Sequence, residues 1–259
     1  FFLERFGLTE QLLDQLVGGA MAHHADYADL YFEFCTTQSV GMEESLVKST
    51  SQHVTQGVGV RVIAGEKTGY AYSDDVTVEN LHLASRTAQA IAHDATGTQA
   101  VAVRTPGQPH DLYPLPHPPL TAPVTEKVAL LNQIDIAARQ HDARIKNVMA
   151  SIVVQHKVVL MVSSAGVVVG DVQPLLRMNV SCIAEDGGQR QQGGSGTGGR
   201  VAYDFLSEDD RYLRCTREAV ERAVRNLDAR EAPAGTLNVV LGPGLSLIHI
   251  SEPTRPSTI

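Results

Sequence analysis

The chain has 259 residues, a formal net charge of −8 at pH 7, 43% apolar residues and 19% charged residues. That length suits one or two domains, and that composition supplies a real core, which excludes wholesale disorder. An acidic chain repels phosphate, which argues against nucleic acid and anionic membrane surfaces as partners.

The three cysteines, Cys35, Cys182 and Cys215, form no C-x-x-C pair. An odd, sparse set argues against a disulfide framework or a cysteine-rich zinc site and points to a reducing compartment, so a cytoplasmic location is expected. The first residues hold no basic stretch leading into an apolar one, and no signal peptide is read there. No apolar run approaches the ~18 residues needed to span a bilayer.

In chain order, Thr9 can cap a first helix whose stripe runs Leu13, Leu16, Val17, Ala20 and His24. Ala28 to Phe34 reads as a strand. Val58, Val60, Val62 and Ala64 alternate with Gly57, Gly59, Arg61 and Ile63, which predicts a strand with one buried face. Turn residues from Gly65 to Gly69 lead into a hairpin partner at Tyr70-Ala71-Tyr72. The helical period returns from Val78 to Ala95. Seven prolines between Thr96 and Pro123 cannot join a helix or sheet interior, so this stretch reads as a linker.

A second unit opens with a helix over Thr125 to Asp142. Strands are predicted at Val148 to Val154, Val158 to Val162 and Val167 to Val169. A further strand carries Leu176, Met178, Val180, Cys182 and Ala184 at period two. Asp186-Gly187 is a hairpin signal. The returning arm is rich in glycine up to Arg200 and is read as mobile or bulged, with a strand after it. Ser207 can cap a last helix, with Asp210 three residues on. Both units read helix, hairpin-connected strands, helix, which favours an α+β fold with antiparallel pairing. The expected layout is a first α+β domain at 1–95, a proline-rich linker at 96–123 and a central α+β domain at 124–230. The start of a C-terminal domain is placed at 231–244 and a foreign tail at 245–259.

Few motifs carry visible chemistry. The run Gly193 to Arg200 loosely resembles a phosphate loop, but it lacks the following helix start and the G-K-[ST] such a loop needs. It is also compatible with a hairpin arm that lies along an extended peptide, with Gly194, Ser195, Gly196 and Arg200 as candidate path residues. Gly57 and Gly59 inside a strand mark a bulge or a close backbone approach. None of the ten histidines is followed by glutamate, so H-E-x-x-H and its relatives are absent. Cys182 and Cys215 read as buried structural thiols. No catalytic and no metal-binding residue is assigned.

Several segments together go further: Ala28 to Phe32, Gln56 to Tyr72 with its GVGVR-x-x-x-GEKTG core, Asp171 to Arg177, Gly194 to Arg200, and Ala232 to Thr236. In this order they resemble the TldD branch of the TldD/PmbA metallopeptidase family over roughly residues 8–244. The resemblance implies a zinc peptidase acting on unfolded peptides as a heterodimer with a PmbA-type subunit. It implies an H-E-x-x-x-H helix in the next domain, where two imidazoles hold zinc and the glutamate acts as general base. That helix is not in this sequence, so the chain is expected to be an inactive N-terminal portion, with no cofactor of its own. The alternative is a non-catalytic module that docks on the partner subunit or on peptide. The tail from Leu245 resembles a translated sequencing-adapter read-through and is expected to be unfolded.

Overall fold

Every described strand pairing is antiparallel, and counted inward from either edge the sheet presents the third, second and first strand of one half of the chain. The computed structural model describes residues 1–22, 25–92, 115, 118–230, 233–236 and 238. Six described strands form one sheet in the order β3-β2-β1-β4-β5-β6. They are β1 (Tyr27–Glu43), β2 (Leu46–Ala64), β3 (Lys67–Ser73), β4 (Ile145–Ser163), β5 (Val168–Asp186) and β6 (Gln189–Gly199). The helices are α1 (Phe2–Phe6), α2 (Glu10–Ala20), α3 (Val78–Ala92), α4 (Val124–His141) and α5 (Arg211–Leu227). The fold is thus α+β, and Phe1–Leu227 forms one compact unit.

The two halves join through the ladder between β1 and β4, which runs from Asp29 opposite Ser163 to Glu43 opposite Met149. Each half then repeats one plan. A long hairpin leads to a short edge strand, and a helix folds back onto that edge. On the first side α3 lies on β3, where a Cβ at Gly69 would collide with the Ala88 carbonyl and the Ala92 amide. On the second side α5 lies on β6, where a Cβ at Gly193 would collide with the backbone at Ala219 and Ala223. A glycine opposite two alanines four residues apart lets each helix backbone rest directly on its strand.

Sidedness follows from the period-two pattern. Even-numbered residues of β1, Leu30, Phe32, Phe34, Val40 and Met42, face the helices and are buried. They fall into two cores. One gathers α2, α3, Phe2, the first end of β1 and the last end of β2, and includes Leu16, Leu30, Phe32, Val60 and Leu81. The other gathers α4, α5 and the strands of the second half, and includes Leu131, Ile134, Ile152, Leu176 and Met178. On the inner face between them lies a polar seam. Lys127, 0% exposed, donates from Nζ to Gln38 Oε1 at 2.5 Å and to the Ala122 carbonyl at 2.8 Å. Burial lowers the pKa of this ammonium and of the nearby strand residue His156.

The structure differs from several sequence expectations. Strands β1 and β2 run far beyond the stretches predicted, from Tyr27 to Glu43 and from Leu46 to Ala64. The turn between them holds Glu44 and Ser45 at φ 52° and 63°, the double left-handed geometry that glycine usually supplies. The glycine-rich arm is itself strand β6, and a 3-10 turn at Tyr203–Leu206 follows it instead of a strand. Ser207 sits in right-handed helical backbone and makes no side-chain cap; a 3-10 turn at Glu208–Asp210 starts before α5 does. Thr9 does cap α2, its Oγ1 accepting from the Leu12 amide at 3.1 Å. Most of the proline-rich stretch 96–123, His24, and all of 245–259 lie outside the described residues; within the first, Pro119–Thr121 forms a 3-10 turn.

Candidate functional site

The described helices all pack on one face of the sheet, and the opposite face carries none of them. Its floor is small and polar. Thr37, Ser39, Gly41, Ser51, Thr55, Gly57, Gly59 and Ser151 point to this side by the strand registers. Gly194, Gly196 and Gly198 extend it onto β6, opposite Ser181, Asn179 and Arg177 of β5.

The four residues predicted from the sequence separate here. Gly194 and Gly196 lie on the open face. Ser195 alternates to the other side, where its hydroxyl donates to Glu218 Oε2 of α5 at 2.9 Å. Arg200 follows the end of β6. The floor at Gly196 is roofed by Arg177, whose Nε donates to Asn179 Oδ1 at 2.9 Å; a Cβ at Gly196 would stand 2.6 Å from Arg177 Nη2. The outer edge of β6 is not bare. Arg222 Nη1 donates to the Gly194 carbonyl at 2.6 Å, and Asn226 Nδ2 donates to the Gln192 carbonyl at 2.9 Å. Side chains of α5 thereby occupy edge acceptors that would otherwise recruit a further strand. What β6 offers a peptide is its face more than its edge.

Two hollows mark the open face. One, of about 290 Å³, lies at the middle of the sheet between Met42, Ser49, Met149, Ser151, Asn179 and Ser181. The other, of about 240 Å³, lies over Gly57 and Gly59 and is walled by Tyr31, Tyr70 and Tyr72. The Tyr70 ring covers Gly59, so that a Cβ there would stand 2.5 Å from the phenol oxygen. Tyr31 donates to Glu33 Oε2 at 3.1 Å, and Lys157 Nζ lies 3.0 Å from the same oxygen. Burial, then the bond to Glu33, push the Tyr31 phenol up to about 12. Sequence reasoning missed this hollow. Its signal was nonetheless present, since glycines at 57 and 59 share one period-two face and so do the tyrosines at 70 and 72.

Burial pushes the Cys182 thiol up to about 12 and raises that of Cys215, so both favour the protonated thiol over the nucleophilic thiolate. Among the described residues, no group of three or more His, Cys, Asp or Glu side chains could hold a metal ion. The arrangement is a broad, glycine-floored sheet face with polar and aromatic hollows.

Comparison with known proteins agrees with that architecture. Residues 28–92 match the family model described as PmbA/TldA metallopeptidase domain 1, and residues 117–227 match that of the PmbA/TldA metallopeptidase central domain. The chain belongs to the TldD/PmbA metallopeptidase family. Among its relatives, the metalloprotease TldD homolog of Haemophilus influenzae is 35% identical over 250 residues, covering 94% of this chain and 52% of that protein. The TldD homolog of Buchnera aphidicola from Schizaphis graminum is 34% identical over 236 residues, covering 89% and 49%. The chain therefore spans about half the length of these TldD/PmbA relatives. The fold is shared with the crystal structure of TldE from Thermococcus kodakarensis, at TM-score 0.61 and 16% identity over 82% of this chain and 47% of that one. It is shared too with a Thermotoga maritima protein described as a candidate modulator of a DNA gyrase, at TM-score 0.64 and 16% identity over 87% and 50%. A metal is implied by the name metallopeptidase, but the described residues do not form a donor set for one.

Proposed function

We propose that this chain is the front portion of a TldD-type zinc metallopeptidase that processes unfolded peptides, and that its own part is to hold the chain being cut. The observation that carries this reading is the sheet face that bears none of the described helices, with its strip of Gly194, Gly196 and Gly198, where β6 itself adds no side chain beneath an extended backbone and Arg177 and Asn179 reach over Gly196 to meet it. Gly194 and Gly196 form the floor of the path, with Ser195 anchoring β6 to α5 and Arg200 at its exit. No proton-transfer step is assigned to any residue of this chain. The sequence contains no His-Glu pair, which supports placing the zinc chemistry elsewhere in the intact family member. In this reading the protein works in the cytoplasm with a PmbA-type partner. The segments 1–95 and 124–230 are its first and central domains, joined by 96–123, and residues 231–244 begin the next.

The test is hydrolysis of a denatured protein such as reduced casein by the purified chain, with zinc supplied and after exhaustive dialysis. No cleavage in either condition is expected, together with measurable retention of unfolded casein on immobilised chain. Chelator-sensitive cleavage would overturn the division of labour proposed here. Absence of peptide retention would leave the alternative role, a subunit-docking module, as the better account.

A further inference from the structure

The hollow over Gly57 and Gly59 lies on the first half of the sheet, on the opposite side of the β1–β4 ladder from the β6 strip, and peptide holding on β6 makes no use of it. Its volume, about 240 Å³, falls below the ~300–1,000 Å³ of ordinary small-molecule sites, so it suits one side chain and not a cofactor. Its walls are aromatic. Tyr70 and Tyr72 are tilted by 30° with ring centroids 6.4 Å apart, and they remain 57% and 78% exposed with no apolar partner laid over them. Tyr31 closes the third side. Its rim is acidic. Glu33 already neutralises Lys157, but Asp74 has no ion-pair partner among the described residues. The second half has no counterpart, because β6 presents glycines on its open face where β3 presents Tyr70 and Tyr72.

An aromatic face attracts a cation through its quadrupole, and a carboxylate at the rim adds a charge-assisted hydrogen bond. A planar guanidinium satisfies both at once, since it stacks on a ring while its edge donates to an oxygen; an ammonium can meet only one geometry well. We propose that this hollow captures the guanidinium of an arginine side chain on an extended peptide. The glycine floor at 57 and 59 leaves room for the Tyr70 phenol and the Ser73–Asp74 backbone to line the base of the hollow, and the arginine side chain enters beside the tyrosines. Asp74 is the anion that the guanidinium meets. The inference concerns equilibrium binding by this chain alone, and it stands or falls separately from any hydrolysis.

Calorimetric titration of the full chain with the blocked pentapeptide acetyl-Gly-Ala-Arg-Ala-Gly-amide tests it, with the same peptide carrying Gln or Glu at the centre as controls. The Arg peptide should bind about tenfold tighter than the Gln peptide, the scale of one desolvated cation–aromatic contact with a carboxylate partner. The Glu peptide should be weakest. Tyr72→Ala and Asp74→Asn, both at exposed positions, should each weaken the Arg peptide about fivefold or more while leaving the thermal midpoint in place. Amide shifts on titration should centre on Gly57, Gly59 and Tyr72. Equal affinity for the Arg and Gln peptides, no binding, full affinity in both variants, or shifts centred on β6 would each overturn the proposal.

Discussion

The hydroxyl of Ser45, at the left-handed tip of the first hairpin, donates to Oδ2 of Asp135 on α4 across 2.7 Å. The same carboxylate accepts from Arg139 Nε at 3.1 and 3.2 Å while only 6% of Asp135 is exposed. One buried acid therefore joins a turn of the first half to a helix of the second, ninety residues apart.

Removing that acid should loosen the junction. Asp135→Ala strands the Ser45 hydroxyl and leaves Arg139 without its partner, a loss of about 2–3 kcal/mol. Asp135→Asn keeps an acceptor for Ser45 and should cost about half as much. Urea denaturation of the three proteins side by side measures both differences, and equal midpoints would show that the link contributes nothing.

Adjacent glycines of β6 should respond very unequally to the same substitution. At Gly193 a methyl group meets the backbone of α5 at Ala219 and Ala223, which cannot move aside singly. Gly193→Ala should lower stability by about 3 kcal/mol. At Gly194 the nearest atom to a new Cβ is the Val180 carbonyl at 3.5 Å, an ordinary contact. Gly194→Ala should stay within about 0.5 kcal/mol of the parent. Thermal melting distinguishes the two, and similar midpoints would contradict the packing described.

The buried Lys127 should make stability rise with pH. Its folded pKa is lowered by burial, so between that value and the ordinary lysine range the unfolded chain binds the extra proton. Stability must then increase as pH climbs through the folded value toward about 10. The buried Cys182 thiol, with its pKa raised, acts in the opposite sense over alkaline pH. The difference between parent and Lys127→Met therefore isolates the lysine. That difference should shift in the parent's favour from pH 7 to pH 10, and a flat difference would mean the ammonium is not penalised.

Asp142 acts at the acid end. Its carboxylate accepts from Arg144 Nη2 at 2.7 Å, Arg144 Nε at 3.0 Å and the Arg144 amide at 2.9 Å. Those bonds, led by the guanidinium, hold its pKa down at about 2. Since the folded value is depressed, the stabilisation is complete above the unfolded value near 4 and is lost as pH falls through the folded value. Asp142→Asn should remove about 1–2 kcal/mol at pH 7 and only a small part of that by pH 2. Acid titration of both proteins followed by circular dichroism reads the convergence.

The elements that show a buried face were legible in the sequence. Helices α2, α3 and α4 and the alternation at Val58 to Val62 and Leu176 to Ala184 all rest against a core, and burial on one side writes a period. The first part of β2, Leu46 to Gln56, lies beyond the helices and is open on both faces. With neither face buried no alternation is selected, and Ser, Thr and Gln fill it. The same reasoning explains the misreading of β6. Its Gly193 follows from the approach of α5, which only the tertiary structure reveals. The β1–β4 ladder joins residues more than a hundred positions apart and leaves no local mark. Of the site, Gly194 and Gly196 were legible as a glycine run, whereas the tyrosine hollow required the register that sets β1, β2 and β3 side by side.

That same ladder decides how the two halves could be supplied. Either half alone would end in a long naked strand, β1 or β4, whose polar backbone row is a template for any chain it meets. Expressed separately, residues 1–92 and 118–259 should each be poorly behaved. Expressed together they should rescue one another, because each carries the one strand that fits the other's open side in register from Asp29 to Glu43. The half-molecules are thus natural material for a complementation reporter, in which solubility itself reports that the two pieces have met.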